Sequence, residues 1–82
     1  MINKHFGPAT QIQRCTTGLH IIANANGVNC WSNGKGAVLI GSFDGACLMA
    51  QEDGYSVTVL PEAITDSTNG KWQTVATLAP AT

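Results

Sequence analysis

The side chains best suited to chemistry in this 82-residue chain belong to its two histidines and three cysteines. Cys15 and His20 form a C-x4-H pair, which is too sparse for a zinc site that needs three or four ligands. An odd number of cysteines (the others are Cys30 and Cys47) without CxxC spacing also argues against a disulfide framework. The sequence therefore predicts no metal, no cofactor and three reduced, buried thiols in a reducing compartment.

A cysteine nucleophile would need His20 beside Cys30 or Cys47 as its base. Such pairs are assembled in space, so the sequence neither establishes nor excludes one. A chain of this size has little room for a substrate cleft of several hundred Å³, and we therefore predict that it is not an enzyme. A minimal enzyme or ligand-binding barrel remains the third hypothesis, with Cys47, His20 and Tyr55 as the first residues to replace.

The acidic residues and one glycine-rich loop are better explained by turns than by catalysis. Asp44 and Asp53 each precede a glycine, a pairing typical of tight turns. The Asn-Gly-Lys-Gly loop at 33–36 lacks the further glycine, the Lys-Ser/Thr ending and the following helix of a phosphate-binding loop. As a hairpin tip it would present Lys35 to solvent or to a partner protein.

Charged residues make up 11% of the chain, against about 25% in an ordinary soluble protein, and the net charge is −1. Four singly scattered Lys and Arg residues cannot neutralise a run of phosphates, which argues against nucleic-acid binding. A weakly charged surface favours association with other proteins. We find no signal peptide and no membrane-spanning stretch in the sequence, so we expect synthesis in the cytoplasm and no membrane partner.

Five Asx-Gly dipeptides divide the chain into short segments. They lie at 26–27, 33–34, 44–45, 53–54 and 69–70. Asn and Asp tolerate positive φ and Gly adopts it without steric cost, so these pairs suit the centre of type I′ hairpin turns. The segments that the dipeptides separate are rich in β-branched and apolar residues, which predicts strands joined by hairpins.

The predicted strands cover 19–24, 28–32, 37–42, 46–51, 55–60 and 71–78, with 10–15 as a further edge strand. The apolar run 37–42 predicts a central strand covered on both faces. Alternation over 55–60 places Tyr55, Val57 and Val59 on one face. Trp31 and Trp72 are predicted core residues.

The predicted fold is all-β, a small antiparallel sandwich or partly open barrel of about six or seven short strands joined by Asx-Gly hairpins. Residues 61–67 could form one short helical turn, because Pro suits the first helical position, or equally a crossover loop. We expect residues 1–82 to form a single β domain, in which residues 1–9 are an N-terminal arm.

Small size, a nearly neutral surface and a strand-rich build favour a non-enzymatic structural component of a larger assembly. A bacteriophage virion protein of the capsid-decoration, cement or head–tail-joint type is the expected example. Its partners would be copies of itself or capsid or tail subunits, reached through Phe6, Lys35, Asp44 and Asp53 or by strand addition at 10–15 or 71–78. The alternative is a small inhibitor or anti-defence protein that binds one host protein.

Overall fold

The computed structural model describes residues 3–4, 7–65 and 71–81. Its elements are β1 (Asn3–Lys4), β2 (Gln11–Cys15), β3 (His20–Ala23), β4 (Trp31–Asn33), β5 (Gly36–Ala37), α1 (Phe43–Glu52), β6 (Tyr55–Thr65) and β7 (Trp72–Pro80). The strands form a three-stranded sheet, β1-β4-β5, and a four-stranded sheet, β3-β2-β7-β6, with antiparallel pairing throughout. The predicted mostly-β fold of small antiparallel sheets is confirmed, and one helix is added to it.

The core lies between one face of the four-stranded sheet and helix α1. Ile12 pairs with Ile22 on one side and with Ala76 on the other, and all three are almost completely buried. The helix contributes Ala46 and Ala50, which are fully buried and lie one turn apart on the same helix face. Burying each isoleucine side chain stabilises the fold by about 1.5–3 kcal/mol, so this face contributes much of the hydrophobic free energy that favours folding.

The predicted edge strands are in fact interior strands. β2 lies between β3 and β7, and β7 lies between β2 and β6, so neither 10–15 nor 71–78 is open to strand addition. The outer edge of β3 is closed as well, because His20 and Ile40 exchange backbone hydrogen bonds of 2.7 and 2.8 Å. The Cys30 N–H also donates to the Ile22 carbonyl there. Among the described residues, the four-stranded sheet therefore keeps an unpaired outer edge only at β6.

The segment 46–51, which we predicted as a strand, belongs to helix α1. Ser42 caps the helix, since its Oγ accepts a hydrogen bond of 3.0 Å from the Gly45 N–H. Asp44 lies in the first turn, where a carboxylate is favoured by the helix dipole. Asp44 is therefore part of a helix start and not the tip of a hairpin, which corrects the prediction for 44–45.

Those of the remaining Asx-Gly pairs that the structure describes also differ from the predicted type I′ turns. That turn needs positive φ at both central residues, and among the described residues only glycines have positive φ. Asp53 ends α1, and Gly54 follows it with φ +92°, so this pair terminates a helix. The β4–β5 hairpin pairs Asn33 with Gly36, which makes Gly34 and Lys35 its loop. The pair at 69–70 lies outside the described residues.

Three further predictions need correction. The run 37–42 is not a central strand, because only its first residue belongs to a strand and Leu39 is 52% exposed. Residues 61–65 continue strand β6 instead of forming a helical turn, and 66–67 lie outside the described residues. Trp31 is buried as predicted, but Trp72 is only half-buried on the face opposite the core. Within residues 1–9, the expected N-terminal arm, the structure has strand β1.

The conformation of Gly54 generates a prediction. Alanine at this position would be strained by the positive φ although no neighbouring atom lies within 4 Å of its Cβ. We expect Gly54→Ala to lower the free energy of unfolding by about 1–2 kcal/mol in urea denaturation. Gly41→Ala is the matched control, since Gly41 has equally open surroundings without a positive φ, and it should be neutral or slightly stabilising. Equal effects of the two substitutions would contradict the assignment of Gly54 as a helix terminator.

Candidate binding clefts beside Arg14

A wide bulge in β6 opens a cleft on the core face of the four-stranded sheet. Val59 pairs with Ala76 and Ile64 pairs with Thr74, so residues 60–63 oppose Val75 alone. Bulges of this kind bend a strand and redirect its side chains. The resulting cleft has a volume of about 380 Å³. It is lined by Arg14, His20, Phe43, Val59, Leu60, Pro61, Ala63 and Val75.

The two titratable side chains of this cleft are neighbours through the β2–β3 pairing. Arg14 is opposite His20, and both lie on the face that carries Ile12 and Ile22. Arg14 is exposed, and no Asp or Glu among the described residues forms an ion pair with it. The hairpin that brings the two together closes where the Cys15 N–H donates to the Leu19 carbonyl at 2.9 Å. The cleft therefore presents one cation beside an imidazole.

The imidazole of His20 is 5% exposed, and its Nδ1 has no hydrogen-bond partner among the described residues. The ring packs against Phe43 with a centroid distance of 5.8 Å. Burial lowers the pKa of His20, and the charge of Arg14 lowers it further, although the carbonyls of Ile40 and Gly18 favour the protonated form. His20 is therefore neutral at pH 7, and it contributes polar atoms to the cleft without a second charge.

A second cleft shares Arg14 and lies at the end of the β2–β3 hairpin. Its volume is about 470 Å³, and it is lined by Arg14, Cys15, Thr16, Gly18, Lys71 and Gln73. The Cys15 Sγ lies 2.7 Å from Thr17 Oγ1. This hydrogen bond is the main reason why the pKa of Cys15 is lowered, with backbone N–H groups of the turn adding to it.

The other two thiols lie in more buried or less favourable surroundings. Cys30 is completely buried, whereas burial and the nearby charge of Asp44 raise the pKa of the half-buried Cys47. All three cysteines are free, but only Cys30 is buried as we predicted. The raised pKa of Cys47 disfavours its thiolate, which is the form that acts as a nucleophile.

The residues of the third hypothesis do not gather at one place. Tyr55 pairs with Pro80 at one end of the sheet, and its Oη accepts a hydrogen bond of 3.1 Å from the Ala9 N–H. His20 lies at the opposite end, next to Arg14. Among the described residues, no group of three or more His, Cys, Asp or Glu side chains could hold a metal ion.

The four candidate interface residues lie on separate elements. Phe6 lies outside the described residues. Lys35 is exposed at the β4–β5 tip, where its N–H donates to Asn33 Oδ1 at 2.8 Å. Asp44 is exposed on the first turn of α1, and Asp53 is half-buried at the end of that helix, so the expected hairpin tips are replaced by helix ends. Sequence reasoning treated Arg14 only as a scattered cation and missed its place in both clefts.

The thiol environments predict an order of chemical modification. Cys15 should react first with a disulfide reagent such as DTNB at pH 7, Cys47 more slowly, and Cys30 only after unfolding. Mass spectrometry of partially modified protein measures the order. Thr17→Val removes the hydrogen bond to Cys15 at nearly constant shape, so it should shift the modification rate of Cys15 toward higher pH and leave Cys47 unchanged. A rate at Cys47 equal to or above that at Cys15 would contradict this account.

The neutral state of His20 predicts a pH dependence of stability. A histidine whose pKa is lower in the folded state than in the unfolded chain binds more protons when unfolded, so stability falls as pH drops below about 6.5. The slope from this one group cannot exceed about 1.4 kcal/mol per pH unit. Urea denaturation between pH 7.5 and pH 5 should give a steeper loss for the wild type than for His20→Gln. Parallel curves for the two proteins would show that His20 is not the group responsible.

No helix among the described residues is long and apolar enough to cross a membrane. Comparisons with protein-family models, with curated proteins and with solved structures each found no match to this chain. What the protein does is therefore inferred from its own residues, chiefly from the outer edge of β6 and the clefts beside Arg14.

Proposed function

We propose that this chain is a non-enzymatic structural component of a larger protein assembly, and that β6 joins it to a neighbouring subunit by strand addition. The observation that carries the proposal is the regular outer edge of β6 over Ser56–Val59, on which no described strand of the sheet pairs. In strand addition, main-chain hydrogen bonds supply the affinity, and side-chain pockets supply the register.

The direction of the backbone groups along this edge follows from one hydrogen bond. The Ala81 N–H donates to the Gly54 carbonyl at 2.9 Å, so the backbone groups of Gly54 face β7. In an antiparallel pair, successive residues face alternately toward and away from the partner strand. The N–H and C=O groups of Tyr55, Val57 and Val59 therefore face outward, away from β7. Val57 and Val59, two residues apart on the strand, offer outward-facing donors and acceptors to a neighbouring strand.

The same stretch lacks the features that usually protect an edge strand. Proteins blunt open edges with charges, prolines and bulges. Residues 55–59 read Tyr-Ser-Val-Thr-Val and contain none of these, whereas Pro61 and Glu62 follow within the bulge. The side chain of Val59 is 59% exposed, so this stretch of β6 also presents apolar surface to solvent. An open, uncharged edge of this kind favours pairing with another chain.

Composition and surface support an assembly role in general. The chain has few charges to repel a neighbour, and large apolar side chains are exposed outside β6 as well. These are Val28, Leu39 and Leu48. More specifically, we propose that the chain is a small bacteriophage virion protein of the capsid-decoration, cement or head–tail-joint type. Its partners would then be copies of itself or capsid or tail subunits.

A proline at position 59 tests the edge. Val59→Pro removes an outward N–H that β7 does not use, and edge strands tolerate proline at such a position. We expect it to weaken self-association or partner binding at least tenfold in sedimentation velocity, while Val59→Thr, which keeps the N–H and the β-branched shape, retains association. Circular dichroism should give the same fold for both variants.

Two results would overturn the proposal. One is unchanged association of Val59→Pro, which would remove β6 from the interface. The other is a wild-type chain that stays monomeric at the highest attainable concentration and is absent, by mass spectrometry, from particles purified from the same source. The second result would remove the assembly role altogether.

A further inference from the structure

We propose that the cleft formed by the β6 bulge, Phe43 and Arg14 binds a small organic monocarboxylate that has an aromatic or branched aliphatic body. This ligand site goes beyond the assembly role and does not depend on it. The cleft lies on the core face of the four-stranded sheet, whereas strand addition would use the outer edge of β6.

The walls of the cleft suit the apolar part of such a ligand. The bulge contributes Leu60, Pro61 and Ala63, while Phe43 and Val75 line the cleft from α1 and β7. A volume of about 380 Å³ falls within the range of small-molecule sites, which are mostly apolar with a few placed polar groups. An aromatic or branched body would bury its surface against these side chains.

The charge of the ligand follows from Arg14. No Asp or Glu among the described residues pairs with this side chain, and no described acidic residue lines the cleft. A guanidinium binds a carboxylate through two parallel N–H···O hydrogen bonds, and such charge-assisted bonds are about twice as strong as neutral ones. A cationic ligand would be repelled, and a neutral one would leave the guanidinium without its preferred partner.

His20 limits the ligand to a single negative charge. Its ring is nine-tenths buried where it lines the cleft, and its Nδ1, which is shielded from solvent, has no partner among the described residues. The ring is neutral at pH 7, because burial disfavours its protonated form. Arg14 is then the one cation lining this cleft within the described residues, and it matches a monocarboxylate better than a dianion such as phosphate.

The cleft is preformed, which reduces the cost of ordering it around a ligand. The two backbone hydrogen bonds between His20 and Ile40 fix β3 relative to the start of α1. The cap at Ser42 fixes the first turn of the helix and therefore the position of Phe43 against His20. The bulge is anchored on both sides, by the pairs at Val59 and Ile64.

Isothermal titration calorimetry of the full chain with 2-naphthoate tests whether binding requires a negative charge on the ligand. We expect saturable binding of one molecule per chain. The neutral isostere 2-naphthamide should bind at least tenfold more weakly, as should naphthoate to Arg14→Gln. A tenfold change corresponds to about 1.4 kcal/mol. Lys35→Gln is the matched control, since it removes the same charge at the exposed β4–β5 tip, and it should bind naphthoate like the wild type.

A second variant tests the location independently of charge. Ala63→Phe fills the cleft from the exposed bulge and should reduce naphthoate binding at least tenfold, while Ala37→Phe, at an exposed alanine on β5, should not. NMR shift changes on binding should centre on Phe43, His20 and Ala63. The proposal would be overturned if the wild type showed no saturable binding, or if it bound the amide as tightly as naphthoate. It would also be overturned if Arg14→Gln and Ala63→Phe both bound naphthoate like the wild type while keeping the wild-type urea midpoint.

Discussion

Two backbone hydrogen bonds, exchanged between His20 and Ile40, determine much of the arrangement of this domain. They close the outer edge of β3, so that the four-stranded sheet is left with one unpaired edge among the described residues, at β6. They also fix the chain only two residues before the cap at Ser42, and the helix that starts there covers the core. Because Phe43 follows the cap directly, its ring meets the imidazole of His20 and closes one side of the cleft.

The face of β2 opposite the core depends on buried polar pairing. Gln11 is buried there, and its Oε1 accepts a hydrogen bond of 2.6 Å from Thr74 Oγ1 while its Nε2 donates to the Asn24 carbonyl at 2.8 Å. Leaving such an amide unsatisfied would cost about 1–3 kcal/mol. Thr74 can reach Gln11 because the bulge at Val75 moves it to the face opposite Ala76. This bulge in β7, which is distinct from the β6 bulge that opens the cleft, therefore satisfies a buried amide.

The sequence was informative where a pattern extends over a whole strand. Alternation and β-branched residues identified β6 and β7, and Trp31, an aromatic residue in a predicted strand, is buried as expected. The hairpin predicted at 44–45 was wrong, because Asp followed by Gly occurs equally well in a hairpin turn and in the first turn of a helix. Here Ser42 caps such a helix. The cleft could not be predicted, since it depends on the register of β6 against β7, and a four-residue bulge leaves no periodic signal in the sequence. Arg14 and His20 meet only through the cross-strand register.

The four residues of the β6 bulge have a consequence for how this protein could diversify. Residues 60–63 pair with no residue of β7, and the ladder resumes on both sides at Val59 and Ile64. Lengthening or replacing this segment would leave the alignment of the flanking strands intact, so the size and lining of the cleft can change separately from the core. The bulge thus separates the part of the domain that folding constrains from a part that selection or design is free to alter.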